Sequence, residues 1–299
     1  MAGVRRRPAR RRGRLARTVG WLAALLVVAV GAIVLVLNRS QVLPVAQVRC
    51  AATSEGTSWY LTPEQADNAA LIAAISVQRG LQARAATIGI ATAMQESKLV
   101  NVTHGDRDSL GLFQQRPSQG WGTAAEVVDP VHATNAFYDA LVKVPGYETM
   151  AITAAAQAVQ RSAFPEAYAQ HEAQARAWAS ALTGWSPAAV TCHLRAPDAA
   201  GSVEGFGARV QRDLGALPVT PGTPDATGLP VTVTTAAGAD DVRSRQAWSV
   251  AQWSVAVARA EQVTTVAVAD QEWSRTRGTW QRSGSTVPVG EVRVTLAAR

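Results

Sequence analysis

The hydrophobic positions of this chain fall into three regimes. Residues 19–37, VGWLAALLVVAVGAIVLVL, form an uncharged apolar run; at 1.5 Å per residue it spans roughly 28 Å, close to the hydrocarbon thickness, which predicts a transmembrane helix. From residue 61 the spacing turns helical. Thr62-Pro63-Glu64-Gln65 joins an N-cap hydroxyl, a first-turn proline and a capping-box glutamine. Ala69, Ile72, Ala73 and Ser76 follow at helical intervals until Gly80. A second helix is predicted from about Gln82 to Ser97. Ala-rich helical patterns recur over residues 130–142, 149–160 and 165–182, with no alternating β-branched run. Residues 61–192 therefore read as an all-α domain.

Beyond Cys192 the texture changes. Val203, Phe206, Val210 and Leu214 suggest a short helix, and Pro218, Pro221, Gly222, Pro224 and Gly228 a linker. Val231-Thr232-Val233-Thr234 reads as a strand. Asp240 caps a helix with Trp248, Ala251, Val255 and Ala258 on one face, and strands follow at residues 263–269, around 273–280 and at 292–296. That order predicts a small α+β domain with one helix on a sheet. The chain thus divides into a basic tail (1–18), a membrane span (19–37), a linker (38–60), the all-α domain (61–192), a linker with a short helix (193–228) and the α+β module (229–299), mainly α as a whole.

Charge alters this picture less than the net +7 suggests. Arg5, Arg6, Arg7, Arg10, Arg11, Arg12, Arg14 and Arg17 take eight of the 29 basic residues, and those remaining are matched by the 22 acids. No basic face is left to attract a nucleic acid. Arginines before the apolar run place the N-terminus in the cytoplasm and the rest outside the cell membrane. The alternative, a cleaved signal peptide, fits a shorter apolar core better. Cys50 and Cys192, the two cysteines, both fall on the outer side, where a disulfide between them would persist. His193 adjoins Cys192 without further ligands at zinc spacing, so no metal site is expected.

The α+β module holds neither His nor Cys. Lacking a nucleophile motif or phosphate loop, it reads as a binding or structural element that could recruit an envelope protein partner.

Candidate chemistry sits at the end of the second helix. Ile88, Thr92 and Glu96 share one face, so the Glu96 carboxyl follows an apolar stripe. An acid in a last helical turn opposes the macrodipole, which, like burial, favours the protonated form. A carboxylic acid kept neutral is the proton donor a glycosidic oxygen needs. The next stretch, Gly111-Leu112-Phe113-Gln114 followed by Pro117, completes an ordered pattern with Met94-Gln95-Glu96-Ser97.

This conjunction resembles the lysozyme-like soluble lytic transglycosylases, over roughly residues 61–184. The arrangement of anchor, lysozyme-like domain and trailing module looks like envelope proteins of actinobacteria. The resemblance implies cleavage of the β-1,4 bond between N-acetylmuramic acid and N-acetylglucosamine in peptidoglycan strands, with Glu96 as acid and then base and no cofactor. It implies that Ser97 fixes the hydrogen bonding of Glu96 and that Gln114 contacts substrate. Gly111, without a Cβ, would let the loop approach the saccharide or take a positive φ. Trp121, between two glycines, could stack on a sugar or close the core.

The chain departs from the family's third motif, Ala-Tyr-Asn-Ala-Gly. Ala156 stands where the aromatic belongs, and Gln157 replaces the asparagine amide. Tyr168, after Phe164-Pro165, corresponds to the family's final tyrosine, which would hydrogen-bond the catalytic carboxylate. These departures bear on turnover and leave a second reading open, a glycan-binding or scaffolding protein that does not cut. Asp106 and Asp108 are the candidates for a second carboxylate. His104, His132 and His171 adjoin no nucleophile motif.

Overall fold

A computed structural model describes residues 48–162 and 165–298. The apolar run of residues 19–37 and the basic tail before it lie outside the described residues; among those described, no helix is long and apolar enough to cross a membrane.

The first elements overturn the all-α expectation. Arg49–Ser54 (β1) and Thr57–Leu61 (β2), read above as linker, form a hairpin, and Val190–His193 (β3) pairs antiparallel with the other edge of β1. Glu55 and Gly56 join β1 to β2 at φ 51° and 76°, the backbone that two-residue hairpin turns require. The buried part of β1 is Cys50-Ala51-Ala52, small side chains that give no β-branched signal. Pairing and a covalent link hold it instead: Cys50 lies opposite Cys192 in the ladder and is disulfide-bonded to it across 142 positions. With eight helices and nine strands among the described residues, the protein is α+β, not mainly α.

Pro63–Gln78 (α1) starts where predicted, with Thr62 and Gln65 forming a reciprocal capping box. It packs on Ala83–Ser97 (α2), most of which is buried. Ala124–Val128 (α3), Pro130–Leu141 (α4), Ile152–Gln160 (α5) and Glu172–Leu182 (α6) complete this part, with a 3-10 helix at Pro165–His171. Phe113 enters the core between the helices and stacks on Phe137 at 4.6 Å.

The C-terminal part has Val203–Leu214 (α7), Val219–Pro221 (β4), Leu229–Thr234 (β5), Asp240–Ala256 (α8), Val263–Val268 (β6), Gln271–Ser274 (β7), Trp280–Arg282 (β8) and Glu291–Leu296 (β9). Six strands make an antiparallel sheet in the order β4-β5-β9-β6-β7-β8. The strand expected around residues 273–280 is in fact the end of one strand, a turn and the start of another. The described residues form one compact unit. Helix α8 is buried from Ala247 to Ala256 and joins the two parts: Gln252 Oε1 accepts from the Ala189 and Val190 amides at 2.8 and 2.9 Å, and its Nε2 donates to the Ala181 carbonyl at 2.6 Å.

Candidate functional site

Helix α2 delivers Glu96 through a strained ending. Lys98 and Leu99 both take left-handed backbone, φ 55° and 58°, a conformation that costs a non-glycine residue roughly 1–2 kcal/mol. Two side chains of α1 hold them there: Gln65 Nε2 donates to the Lys98 carbonyl and Asn68 Nδ2 to the Leu99 carbonyl, each at 2.8 Å. The chain is thereby turned sharply after Ser97, and Glu96 is left at the tip of a buried stripe that includes Ile88 and Thr92.

The Glu96 carboxyl is partly buried, and Tyr168 Oη donates to its Oε1 at 2.7 Å. Burial raises the Glu96 pKa above its ordinary value and outweighs the opposing hydrogen bonds from Tyr168 and Gln160. Tyr168 is wholly buried, and burial together with its bond to Glu96 holds its hydroxyl well above the usual tyrosine range, so it remains a donor.

The loop carrying the Gly-Leu-Phe-Gln stretch is tied directly to the end of α2. Ser97 Oγ donates to the Leu112 carbonyl at 2.7 Å and lies 3.1 Å from the Ala93 carbonyl. Gly111 has φ 75°, and a Cβ there would stand 2.2 Å from the Val127 carbonyl oxygen. The positive φ expected of it is present, and its lack of a side chain serves the close approach to α3. Gln114, at φ 48°, places its amide nitrogen 3.4 and 3.3 Å from the carbonyls of His104 and Gly111, closing its own loop.

Gln157 donates to the Ser162 carbonyl at 2.8 Å, while its buried Oε1 has no partner among the described residues. Ala156 is fully buried in the core. The structure therefore brings Glu96, Ser97, the Gly111 loop and Tyr168 together, and gives Gln157 a turn to close.

Sequence reasoning missed Gln160. Its amide donates to the Phe113 carbonyl at 2.8 Å and also hydrogen-bonds Glu96, so the last residue of α5 links loop and acid. Nothing in the spacing singles it out from Gln157, one turn earlier. Gln95 likewise gains partners from the 3-10 helix: Gln170 Nε2 and His171 Nε2 each lie 3.1 Å from its Oε1. An amide oxygen only accepts, so that histidine nitrogen carries the proton.

Gln160 also lines a groove of about 970 Å³ with Trp121, Asp139, Lys143 and Arg161. Trp121 is half-exposed on this wall, its backbone carbonyl 3.2 Å from His132 Nε2.

The acids offered as second carboxylates have other work. Asp108 Oδ1 accepts from Arg116 Nε at 2.7 Å and its Oδ2 from the Ser118 amide at 2.8 Å, which hold its pKa far below the usual carboxylate range. Asp106 is exposed beside Arg107. Among the described residues, no cluster of His, Cys, Asp and Glu could hold a metal ion.

The chain matches no protein-family model and no curated protein. What the site can do chemically is argued from its residues: one poorly hydrated carboxyl with a fixed hydroxyl donor, on a loop-braced helix end, suits proton transfer to and from a neutral oxygen.

Proposed function

We propose that the protein is an extracytoplasmic enzyme, tethered at the cell membrane, that cleaves the β-1,4 bond between N-acetylmuramic acid and N-acetylglucosamine in peptidoglycan. The observation that carries this reading is the Glu96–Tyr168 pair: a carboxyl raised by burial, oriented by a donor, at the end of a helix bound to the Gly-Leu-Phe-Gln loop. With Oε1 accepting from Tyr168, the proton Glu96 delivers resides on Oε2. Protonation of the glycosidic oxygen breaks the C1–O bond. The resulting carboxylate, stabilised by Tyr168 and Gln160, then takes the proton of the substrate's own 6-hydroxyl as that oxygen attacks C1, giving a 1,6-anhydro sugar. The partners of Asp108 favour this one-acid route over a two-carboxylate mechanism.

The test is incubation of the full chain with purified peptidoglycan, with Glu96→Gln alongside. Anhydro-muropeptides released by the wild type and lost in the variant support the reading; equal release by both, or none, refutes it. One observation favours a second reading, glycan holding without cleavage: the small, buried Ala156 occupies the place of the family's aromatic. Sedimentation with insoluble peptidoglycan and no soluble product is the outcome that would select it.

A further inference from the structure

The groove lined by Gln160, a partner of Glu96, carries a charge pattern that proton transfer does not use. Its described lining has two cations, Lys143 and Arg161, and one acid, Asp139. Asp139 is already engaged, accepting from Arg79 Nη2 while Arg79 Nη1 donates to Asn135. Among the ion pairs of the described residues neither Lys143 nor Arg161 takes part, and both are exposed. Arg161 is moreover held in left-handed backbone, φ 52°, at the C-cap of α5, where glycine is the unstrained choice. A cation near a helix C-terminus complements the macrodipole, and that accounts for one positive charge after α4 and one after α5. It does not account for both lining one groove together with the Trp121 indole and with Gln160, a partner of Glu96. The volume is at the upper end of the about 300–1,000 Å³ typical of ligand clefts, ample for linked sugars.

We propose that this groove selects glycan by its carboxylates, with Lys143 and Arg161 as specificity residues and Trp121 as the face against which a sugar ring lies. The assignment rests on the peptidoglycan reading of Glu96 and names the part of the substrate that reading leaves open: the negative groups hung on alternate sugars. Arginine suits them, because its planar fork matches a carboxylate with two parallel donors. Trp121 contributes irrespective of charge, through its apolar face.

Binding of the full-length Glu96→Gln chain to three probes tests this without turnover. The probes are a neutral hexamer of N-acetylglucosamine, glycan strands stripped of peptide by an amidase, which keep only the lactyl carboxylate, and the same strands with peptides attached. The expected result is a preference for carboxylate-bearing strands that fades as salt rises. Lys143→Ala with Arg161→Ala should weaken binding of those strands about five- to tenfold, the scale of two exposed ion pairs, and leave the neutral hexamer unchanged. Trp121→Ala should weaken all three.

Loss confined to the peptide-bearing strands assigns the contact to stem-peptide carboxylates, and equal loss on the stripped strands assigns it to the lactyl group. No preference of the parent for carboxylate-bearing strands, or a preference that survives both substitutions, overturns the proposal. Failure of the catalytic reading would show separately, as absence of product from the wild type while this binding pattern persists.

Discussion

Tyr168 and Glu96 stand 72 positions apart in the chain, yet the tyrosine hydroxyl donates to the carboxylate at 2.7 Å. The acid comes from α2 and its donor from the 3-10 helix that lies between α5 and α6 in the chain. Burial and this bond act on Glu96 in opposite directions, and burial is the larger. The pair therefore holds a proton more tightly than a solvated glutamate while keeping a route to the charged form.

Tyr168→Phe removes the donor and leaves the packing. The Glu96 pKa should rise further, since a bond that favoured the carboxylate is gone, so the alkaline limb of any pH–rate profile should move to higher pH by about one unit, the scale of one hydrogen bond to a charged group. The second half-reaction loses its stabilised base, and kcat should fall about tenfold with KM little changed. An unmoved alkaline limb would separate Tyr168 from the titration of Glu96.

Glu96 should also mark the stability curve. Its folded-state pKa lies above the unfolded value, so its contribution is fully present below the unfolded pKa and is lost as pH rises through the folded one. Glu96→Gln cannot ionise, and its amide oxygen can still accept from Tyr168. The variant should match the wild type in Tm at acid pH and exceed it at neutral pH and above. Paired thermal melts from pH 4 to pH 8 measure this; a variant that is less stable throughout contradicts it.

Gly111→Ala tests the loop brace. The new methyl would need to share space with the Val127 carbonyl at 2.2 Å in a backbone of φ 75°. Relief requires the loop to leave α3, and with it the Leu112 carbonyl that binds Ser97. A loss of about 2 kcal/mol or more in stability is expected from combined overpacking and strain, with product release from peptidoglycan reduced at temperatures where the variant is still folded. Unchanged melting would show that the loop moves freely.

The legible parts of this fold are those with local causes. Thr62-Pro63-Glu64-Gln65 announces a helix because its capping interactions lie within four residues, and those bonds are present. Glu96 is legible as an acid on an apolar stripe for the same reason, as i, i+4 neighbours are set by helix geometry alone. Strand β1 was illegible because its core-facing residues are Cys and Ala. One of its edges pairs locally with β2, but the other pairs with β3, more than 130 positions away, which no window along the chain contains. The turn at Glu55-Gly56 was the one local hint. Gln160 was hidden for a related reason: its importance lies in reaching Phe113 and Glu96 together, and only the packing of α5 against α2 makes that happen.

The same long-range logic makes Gln252 the sharpest test of how the C-terminal part is attached. Read from sequence, residues 229–299 form a separate α+β module. In the structure Gln252 of α8 is fully buried and satisfies the amides of Ala189 and Val190 and the carbonyl of Ala181. Ser249 adds a bond to the Leu182 carbonyl, and Trp280 one to the Val190 carbonyl. Gln252→Leu keeps the volume roughly constant and strips partners from buried backbone groups, each worth about 1–3 kcal/mol when left unpaired. The expected loss is about 3–5 kcal/mol, or roughly 6–15 °C in Tm. Because β3 also carries Cys192, the loosening should reach the disulfide-linked sheet and lower one common transition. Calorimetry of the full chain gives the answer: two separate transitions, with only the weaker displaced by the substitution, would mean that the C-terminal part folds as an independent module and that this polar seam is not what joins it to the half that carries Glu96.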